Sequence, residues 1–260
     1  MARLEAVARY VIAGVAFLST QSLGAQIVVP NVPVVTTGNC LPFGCTDNFG
    51  SDARYQQAYS NTSFGSAPLL ITGLRFFNST LEPDENDRIT AGTYTLWLST
   101  RPSVSTTLPT ASLTANRGAD FTEFATFTSD GTVRFGSSFD VLGTPFMYDP
   151  SSSNLLLEVQ AKYTETRGSF TPRLYVDFQT NTSELGRAFC LGSACDVGLA
   201  GPRAGLVTAF LTTPVTTVPE PSSFALVGAS VLVLYGGVRT RRRRRLRLDI
   251  ASSHPAPGAA

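Results

Sequence analysis

Four cysteines stand as two C-x4-C pairs, Cys40/Cys45 and Cys190/Cys195, and the chain has no others. Four cysteines allow three pairings. Two local bridges are favoured, because both intervening segments hold turn formers, and each bridge would then pin a turn. Crossed bridges would clamp the two ends of the intervening region and stabilise by about 4–5 kcal/mol on a chain-entropy model. A four-cysteine zinc site needs the same residue types. Its usual spacing is tighter, though, and thiolates in an oxidising compartment would tend to oxidise. No metal or other cofactor is expected.

Histidine is the next group, and its distribution is restrictive. The single histidine is His254, close to the C-terminus and beyond a run of arginines. Residues 26–218 therefore lack a Ser-His-Asp arrangement, a histidine general base and a histidine zinc ligand. Sixteen carboxylates fall in that span. Two of them at a suitable separation would suffice for glycoside hydrolysis, but nothing in the sequence singles out a pair, and no catalytic residue is assigned. The densest acidic segment, Glu82-Pro83-Asp84-Glu85-Asn86-Asp87, has oxygen ligands that suit Ca²⁺ but not the order of an EF-hand; it reads as a solvated turn. Trp97, Tyr175 and Tyr59 are the aromatics that strand alternation leaves as candidates for stacking on sugar rings. Asn61-Thr62-Ser63, Asn78-Ser79-Thr80 and Asn181-Thr182-Ser183 match the glycosylation triplet, as expected by chance in a Ser/Thr-rich chain.

Charge narrows the partners. Residues 26–218 carry eleven basic residues against sixteen carboxylates, a net charge of −5, with Lys162 the only lysine. A mildly acidic domain is a poor nucleic-acid binder, and no nucleic-acid partner is expected.

The elements that must position these residues read as strands. Thr, Ser, Gly and Phe are abundant, and the middle of the chain has no long 3.6-residue apolar period. Candidate strands lie at 54–59, 69–77, 93–98, 155–163, 173–178 and 206–211, with 157, 159, 161 and 163 facing inward. Ser129-Asp130-Gly131 between 121–127 and 132–135 predicts a hairpin, since Asp-Gly supplies the positive φ angles of a tight turn. The spans 99–119 and 136–150 read as loops, and 26–37 as an extended lead-in. Eight or nine short strands predict an all-β, two-sheet sandwich of jelly-roll type.

Both termini read as targeting segments. Arg3 and Arg9 precede the apolar run from Tyr10 to Leu18, and Leu23-Gly24-Ala25 closes the pattern of a signal peptide over 1–25. An uncleaved N-terminal anchor is the alternative. At the other end Pro219, Glu220 and Pro221 precede an apolar span at about 222–238, and Arg239, Arg241, Arg242, Arg243, Arg244 and Arg245 follow it. Such a span is about 25 Å of helix, enough to cross a somewhat thinned bilayer, and the arginines hold its end in the cytoplasm. The organisation is then a signal peptide (1–25), a lead-in with the first cysteine loop (26–50) and a β-sandwich (51–213). An anchor segment (214–247) and a disordered tail (248–260) complete it.

The order Val218-Pro219-Glu220-Pro221, apolar span, arginine cluster resembles a PEP-CTERM sorting signal over about 30 residues. The resemblance implies a Gram-negative bacterium that makes exopolysaccharide, and a membrane-embedded exosortase acting near Pro219, Glu220 and Pro221. This chain would be its substrate. Here the tail runs on from Leu246 to Ala260, past the usual stopping point. More weakly, 54–59, 69–77 and 146–157 resemble exported domains that often precede such tails. The tail motif is also labelled an ice-binding protein C-terminal domain in some families. Because Thr93/Thr95, Thr126/Thr128 and Thr164/Thr166 are irregularly spaced along the chain, that label would describe the tail only. The expectation is thus a non-enzymatic, exported surface or matrix protein with exosortase, membrane and possible exopolysaccharide contacts. The alternatives are a carboxylate-pair carbohydrate hydrolase and a permanently anchored surface protein.

Overall fold

Alternation of apolar and polar residues with period two buries one face of each strand, and this chain has enough such runs to build several sheets. The computed structural model describes residues 24–31, 37–45, 52–79, 87–101, 103, 105–164, 174–192 and 195–215. Its first strands are β1 (Ala25–Val29), β2 (Thr37–Asn39), β3 (Asp52–Tyr59), β4 (Leu69–Phe77) and β5 (Gly92–Arg101). They are followed by β6 (Thr122–Ser129), β7 (Ser138–Tyr148), β8 (Asn154–Tyr163), β9 (Val176–Gln179) and β10 (Leu185–Leu191). The last three are β11 (Leu199–Pro202), β12 (Gly205–Leu206) and β13 (Thr208–Pro214). Two short 3₁₀ turns complete the inventory, and the described residues contain no α-helix. No helix among them is long and apolar enough to cross a membrane.

All pairings between these strands are antiparallel. They form a four-stranded sheet β1-β13-β4-β7, a six-stranded sheet β11-β10-β3-β8-β5-β6 and a three-stranded sheet β12-β9-β2. Every strand lies in the unit Met1–Val215. The unit Thr216–Ala260, which holds Pro219, Glu220, Pro221, the apolar span and the arginine cluster, lies outside the described residues, as does nearly all of the expected signal peptide.

The two larger sheets share one apolar core. Ile71, Leu74, Phe76 and Phe210 come from the four-stranded sheet, and Tyr55, Tyr94, Leu96, Leu157 and Val159 from the six-stranded one. At roughly 1.5–3 kcal/mol for each large side chain removed from water, this cluster is the main stabilising term. The segment Cys40–Cys45 acts as a plug in it. Phe43 is fully buried and packs on Phe76 at 4.8 Å and on Tyr94 at 5.6 Å, and so bridges the two sheets. Its backbone is tied down as well: Thr90 N–H donates to Phe43 O at 2.8 Å and Tyr163 O–H to Pro42 O at 2.7 Å. A Cβ on Gly44 would lie 2.2 Å from Leu174 O, so only glycine lets the plug seat this deeply. The bridge in this plug is Cys40–Cys45 and the other is Cys190–Cys195, the local pairing of the three that were open.

Strand positions agree with the sequence reading at 69–77 and, within a few residues, at β3, β5 and β8. Three expectations are corrected. The hairpin at Asp130-Gly131 does not form: β6 pairs with β5, while β7 pairs with β4 in the other sheet. Gly131 has a positive φ of 82°, as a turn needs, but Phe135 is buried against Phe139, which carries the chain across the core. Residues 136–150 are not a loop but contain the eleven-residue β7. Its buried residues change parity, from Val141 to Phe146 and Tyr148, because the register slips opposite Thr72. That slip erased the alternation on which the sequence reading relied. The lead-in, finally, contains β1, which pairs with β13 from Ala25↔Thr212 to Val29↔Thr208.

If Phe43 bridges the sheets, its burial should outweigh the bridge that frames it. Phe43→Ala is expected to cost about 3–5 kcal/mol. The double change Cys40→Ala/Cys45→Ala should cost about 2 kcal/mol, since a loop this short restricts the unfolded chain little. Urea unfolding of both variants checks the order.

Candidate functional site

β8 is central, flanked by β3 and β5, and its sequence Asn154-Leu-Leu-Leu-Glu-Val-Gln-Ala-Lys-Tyr163 places a carboxylate directly after three leucines. Inward go Leu157, Val159 and Ala161; outward, on the face away from the shared core, go Leu156, Glu158, Gln160 and Lys162. A segment spanning 105–121 roofs part of that outer face. Leu108 and Leu113 from the roof close a second small apolar cluster with Ala58, Leu156, Ala188 and Cys190. Under this roof Glu158 is 0% exposed.

A carboxylate in such a place must be paired or lose its charge. Glu158 is paired four times over. Arg54 donates through Nε to Oε1 at 2.8 Å and through Nη2 to Oε2 at 3.2 Å. Arg117, from the roof, donates through Nη2 to Oε1 at 2.7 Å and through Nε to Oε2 at 3.0 Å. Gln56 Nε2 and Gln160 Nε2 add bonds of 2.7 and 2.8 Å. Burial pushes the Glu158 carboxyl up, but the bonds from Arg117, Arg54, Gln160 and Gln56 outweigh it and hold the group below its usual range.

The network continues to the second disulfide. Arg54 Nη1 donates to Asp196 Oδ1 at 2.7 Å. Ser112 Oγ–H, Thr114 Oγ1–H and Thr114 N–H also reach the Asp196 carboxylate, and with Arg54 they hold it well below the usual carboxylate range. Cys190 sits on β10 directly opposite Arg54, and its partner Cys195 immediately precedes Asp196. The bridge therefore fixes Asp196 over Arg54. Leu113 N–H donates to Asp196 O at 2.7 Å, which ties the roof to the same residue.

Beside this network opens a cavity of about 400 Å³, walled by Asp52, Arg54, Thr114, Gln160, Lys162 and Asp196. Its lining is polar and of both signs. Among the described residues no group of three or more His, Cys, Asp or Glu side chains could hold a metal ion.

The three aromatics expected to be available for stacking are not brought together. Tyr59 is corrected outright: it faces the core at 0% exposure, donates or accepts at Thr208 Oγ1 (2.8 Å) and meets Phe210 edge-on at 4.9 Å. Alternation placed Tyr55, Gln57 and Tyr59 on one face of β3, and that face is the inner one. Trp97 is on the outer face opposite Glu158, but Phe121 stacks on it at 4.9 Å and 7°, and the Arg117 guanidinium lies 4.0 Å from the Phe121 ring centroid. Tyr175 is 43% exposed and precedes β9 in the three-stranded sheet, away from the other two in the topology. The register adds a relation among the threonines. Irregular along the chain, Thr93 and Thr95 stand directly opposite Thr128 and Thr126 across β5 and β6. Of the acidic segment 82–87 only Asp87 is described, and it accepts from Asn78 Nδ2 at 2.7 Å.

Glu158, Arg54, Arg117 and Asp196 were not singled out by sequence. One signal was available: a carboxylate directly after three leucines in a strand with an apolar inner face demands a buried cation. Compared with models of known protein families and with curated proteins, the chain matches none.

Two measurements follow. Glu158→Gln turns amide hydrogens toward the guanidinium groups, leaves Arg117 without its counter-charge and leaves Arg54 with Asp196 alone. With Arg54 and Arg117 side chains 11% and 24% exposed, a loss of about 3 kcal/mol is expected, at the lower end for broken buried pairs. Urea unfolding at pH 7 reads it. Asp177, in β9, is the contrary case: burial pushes its carboxyl up to about 6. A carboxyl whose folded value lies above its unfolded value of about 3.9 binds its proton more tightly when folded. Its stabilising contribution is full below the unfolded value and lost as pH rises through about 6. Asp177→Asn should therefore raise the Tm relative to wild type at pH 7.5, with the difference closing toward pH 4.

Proposed function

We propose that this protein is an exported, non-enzymatic β-sandwich of jelly-roll type that serves the cell surface or extracellular matrix by contacting exopolysaccharide. Its tail is a PEP-CTERM sorting signal, and an exosortase of a Gram-negative bacterium processes it after transient anchoring in the inner membrane. The observation that carries this reading is the order of the tail: Pro219-Glu220-Pro221, an apolar span, then Arg239 and Arg241 to Arg245. Two disulfides support export, since such bridges persist in oxidising compartments. The sandwich is supported by the shared core of the four- and six-stranded sheets and by the chain's passage between them from β4 to β5, β6 to β7 and β7 to β8.

The non-enzymatic reading has a chemical basis. A glycosidase acid needs a carboxyl held protonated near neutral pH beside a second carboxylate. Glu158 and Asp196, the carboxylates linked through Arg54, are both held ionised, and Glu158 is sealed from solvent. Such a pair organises structure. The acidic balance of residues 26–218 argues against a nucleic-acid partner.

Intact-mass measurement of the protein recovered from its native envelope tests the processing. The expected species lacks everything after the Pro-Glu-Pro region and the N-terminal segment up to about Ala25, and is 4 Da lighter than its fully reduced form, one hydrogen pair per bridge, a mass difference of about this size following from two S–S bonds. Retention of the arginine cluster would show a permanent anchor instead.

A further inference from the structure

Only part of the outer face of the six-stranded sheet lies under the roof. On the uncovered part, the register sets two rungs of side chains across four strands. One rung is Asp52, Lys162, Thr93 and Thr128, on β3, β8, β5 and β6; each residue is the direct cross-strand partner of the next. The other is Arg54, Gln160, Thr95 and Thr126, joined in the same way. All eight point away from the shared core, because their neighbours Tyr94, Leu96, Val159 and Ala161 point into it. Lys162, Thr126 and Thr128 are exposed, and the other five are half-buried.

The dimensions are those of an extended ligand. Three inter-strand spacings make the strip about 14 Å long, and the two-residue step between rungs makes it about 7 Å wide. At the β3–β8 end it deepens into the 400 Å³ cavity, whose far wall is Thr114 and Asp196. At the β6 end it is flat, with Thr126 Oγ1 bonded to Thr95 Oγ1 at 3.0 Å and to Glu123 Oε1 at 2.9 Å.

The charges on the strip nearly balance in number. Asp52 stands directly across from Lys162, and Arg54 is answered by Glu158 and Asp196 while Arg117 shares Glu158. Cations and carboxylates around the strip are matched in number save for Glu123 at the β6 end, so neither sign dominates to select a charged ligand. What remains is a surface of hydroxyl, amide and ionised groups held by a rigid sheet, with threonine methyl groups between them. That surface matches a ligand rich in hydroxyl groups, uncharged and long in one dimension.

We propose that the two rungs and the cavity form one binding strip for a neutral polysaccharide strand lying across β3, β8, β5 and β6. This rests on the reading that the protein contacts exopolysaccharide, and it adds the site and the ligand's charge class. Threonines and glutamine supply hydrogen bonds to sugar hydroxyls, and the cavity receives a branch or a terminal unit. With no open aromatic platform on the strip, a single strip binds weakly, and retention on a surface comes from many copies engaging one polymer.

The test uses the full-length, oxidised protein against immobilised neutral oligosaccharides (β-glucan, mannan and galactan) and uronate oligosaccharides (polygalacturonate and alginate). Three proteins are compared: wild type, Thr95→Val/Thr126→Val, and Lys162→Met, each checked for an unchanged Tm. The expected result is retention on one or more neutral oligosaccharides. The threonine double variant should weaken it about tenfold or more, and Lys162→Met, which removes one member of a rung but no charge attraction to a neutral ligand, by a smaller factor. Retention on uronates that Lys162→Met abolishes would overturn the neutral-ligand inference and leave the exopolysaccharide reading standing. Neutral binding unchanged in the threonine double variant would overturn the strip while leaving that reading. Retention on neither class overturns both.

Discussion

The constraint on which the outer half of this domain depends is the burial of one carboxylate. Glu158 lies on the central strand of the six-stranded sheet at 0% exposure, and its charge persists only because Arg54 and Arg117 both grip it bidentately. Arg54 belongs to the neighbouring strand and Arg117 to the roof. One carboxylate thus fixes where a long irregular segment must sit. Arg117 in turn lies 4.0 Å from the Phe121 ring, and Phe121 covers Trp97. Asn116 donates to Gln56 Oε1 at 2.8 Å, which turns the Gln56 amide toward Glu158. A network in which every member is satisfied specifies one arrangement; removing any member leaves a buried charge or donor exposed to a low dielectric.

The two disulfides have the same spacing and opposite roles. Cys40–Cys45 frames a plug that drives Phe43 inward, where it touches residues of both large sheets. Cys190–Cys195 works on the outside, where it holds Asp196 against Arg54, Ser112 and Thr114 and thereby locks the roof. Such short loops restrict the unfolded chain little. Their value in the folded state is positional. A bridge that places one carboxylate correctly can matter more to a surface than one that shortens the unfolded chain.

Much of the fold was legible. β4 lies where its apolar run lies, and β8 follows from the alternation of Leu157, Val159, Ala161 and Tyr163. β10 was not read, because Gly186 and Arg187 interrupt it and both its faces are covered, so that no period stands out. β7 escaped because its register slips opposite Thr72. The Asp130-Gly131 turn was read for its local chemistry, but whether the chain then doubles back or crosses to another sheet depends on where Phe135 finds apolar neighbours. The candidate site was less legible still: Arg54, Arg117, Glu158 and Asp196 are far apart in sequence, and no spacing rule connects them.

By itself the sequence determined what is local: period-two strands, turn chemistry, the lack of histidine in residues 26–218, cysteine pairs able to close on themselves, and the charge order at the two ends. These follow from bonded neighbours and composition. The tertiary structure decided what is relational. It chose which face of β3 holds Tyr59 and which holds Arg54, set Thr93 and Thr95 opposite Thr128 and Thr126, and buried Glu158 between two arginines. The physical reason is register. A shift of one residue reverses every face of a strand, and register is set by the packing of distant strands together, which no local pattern contains.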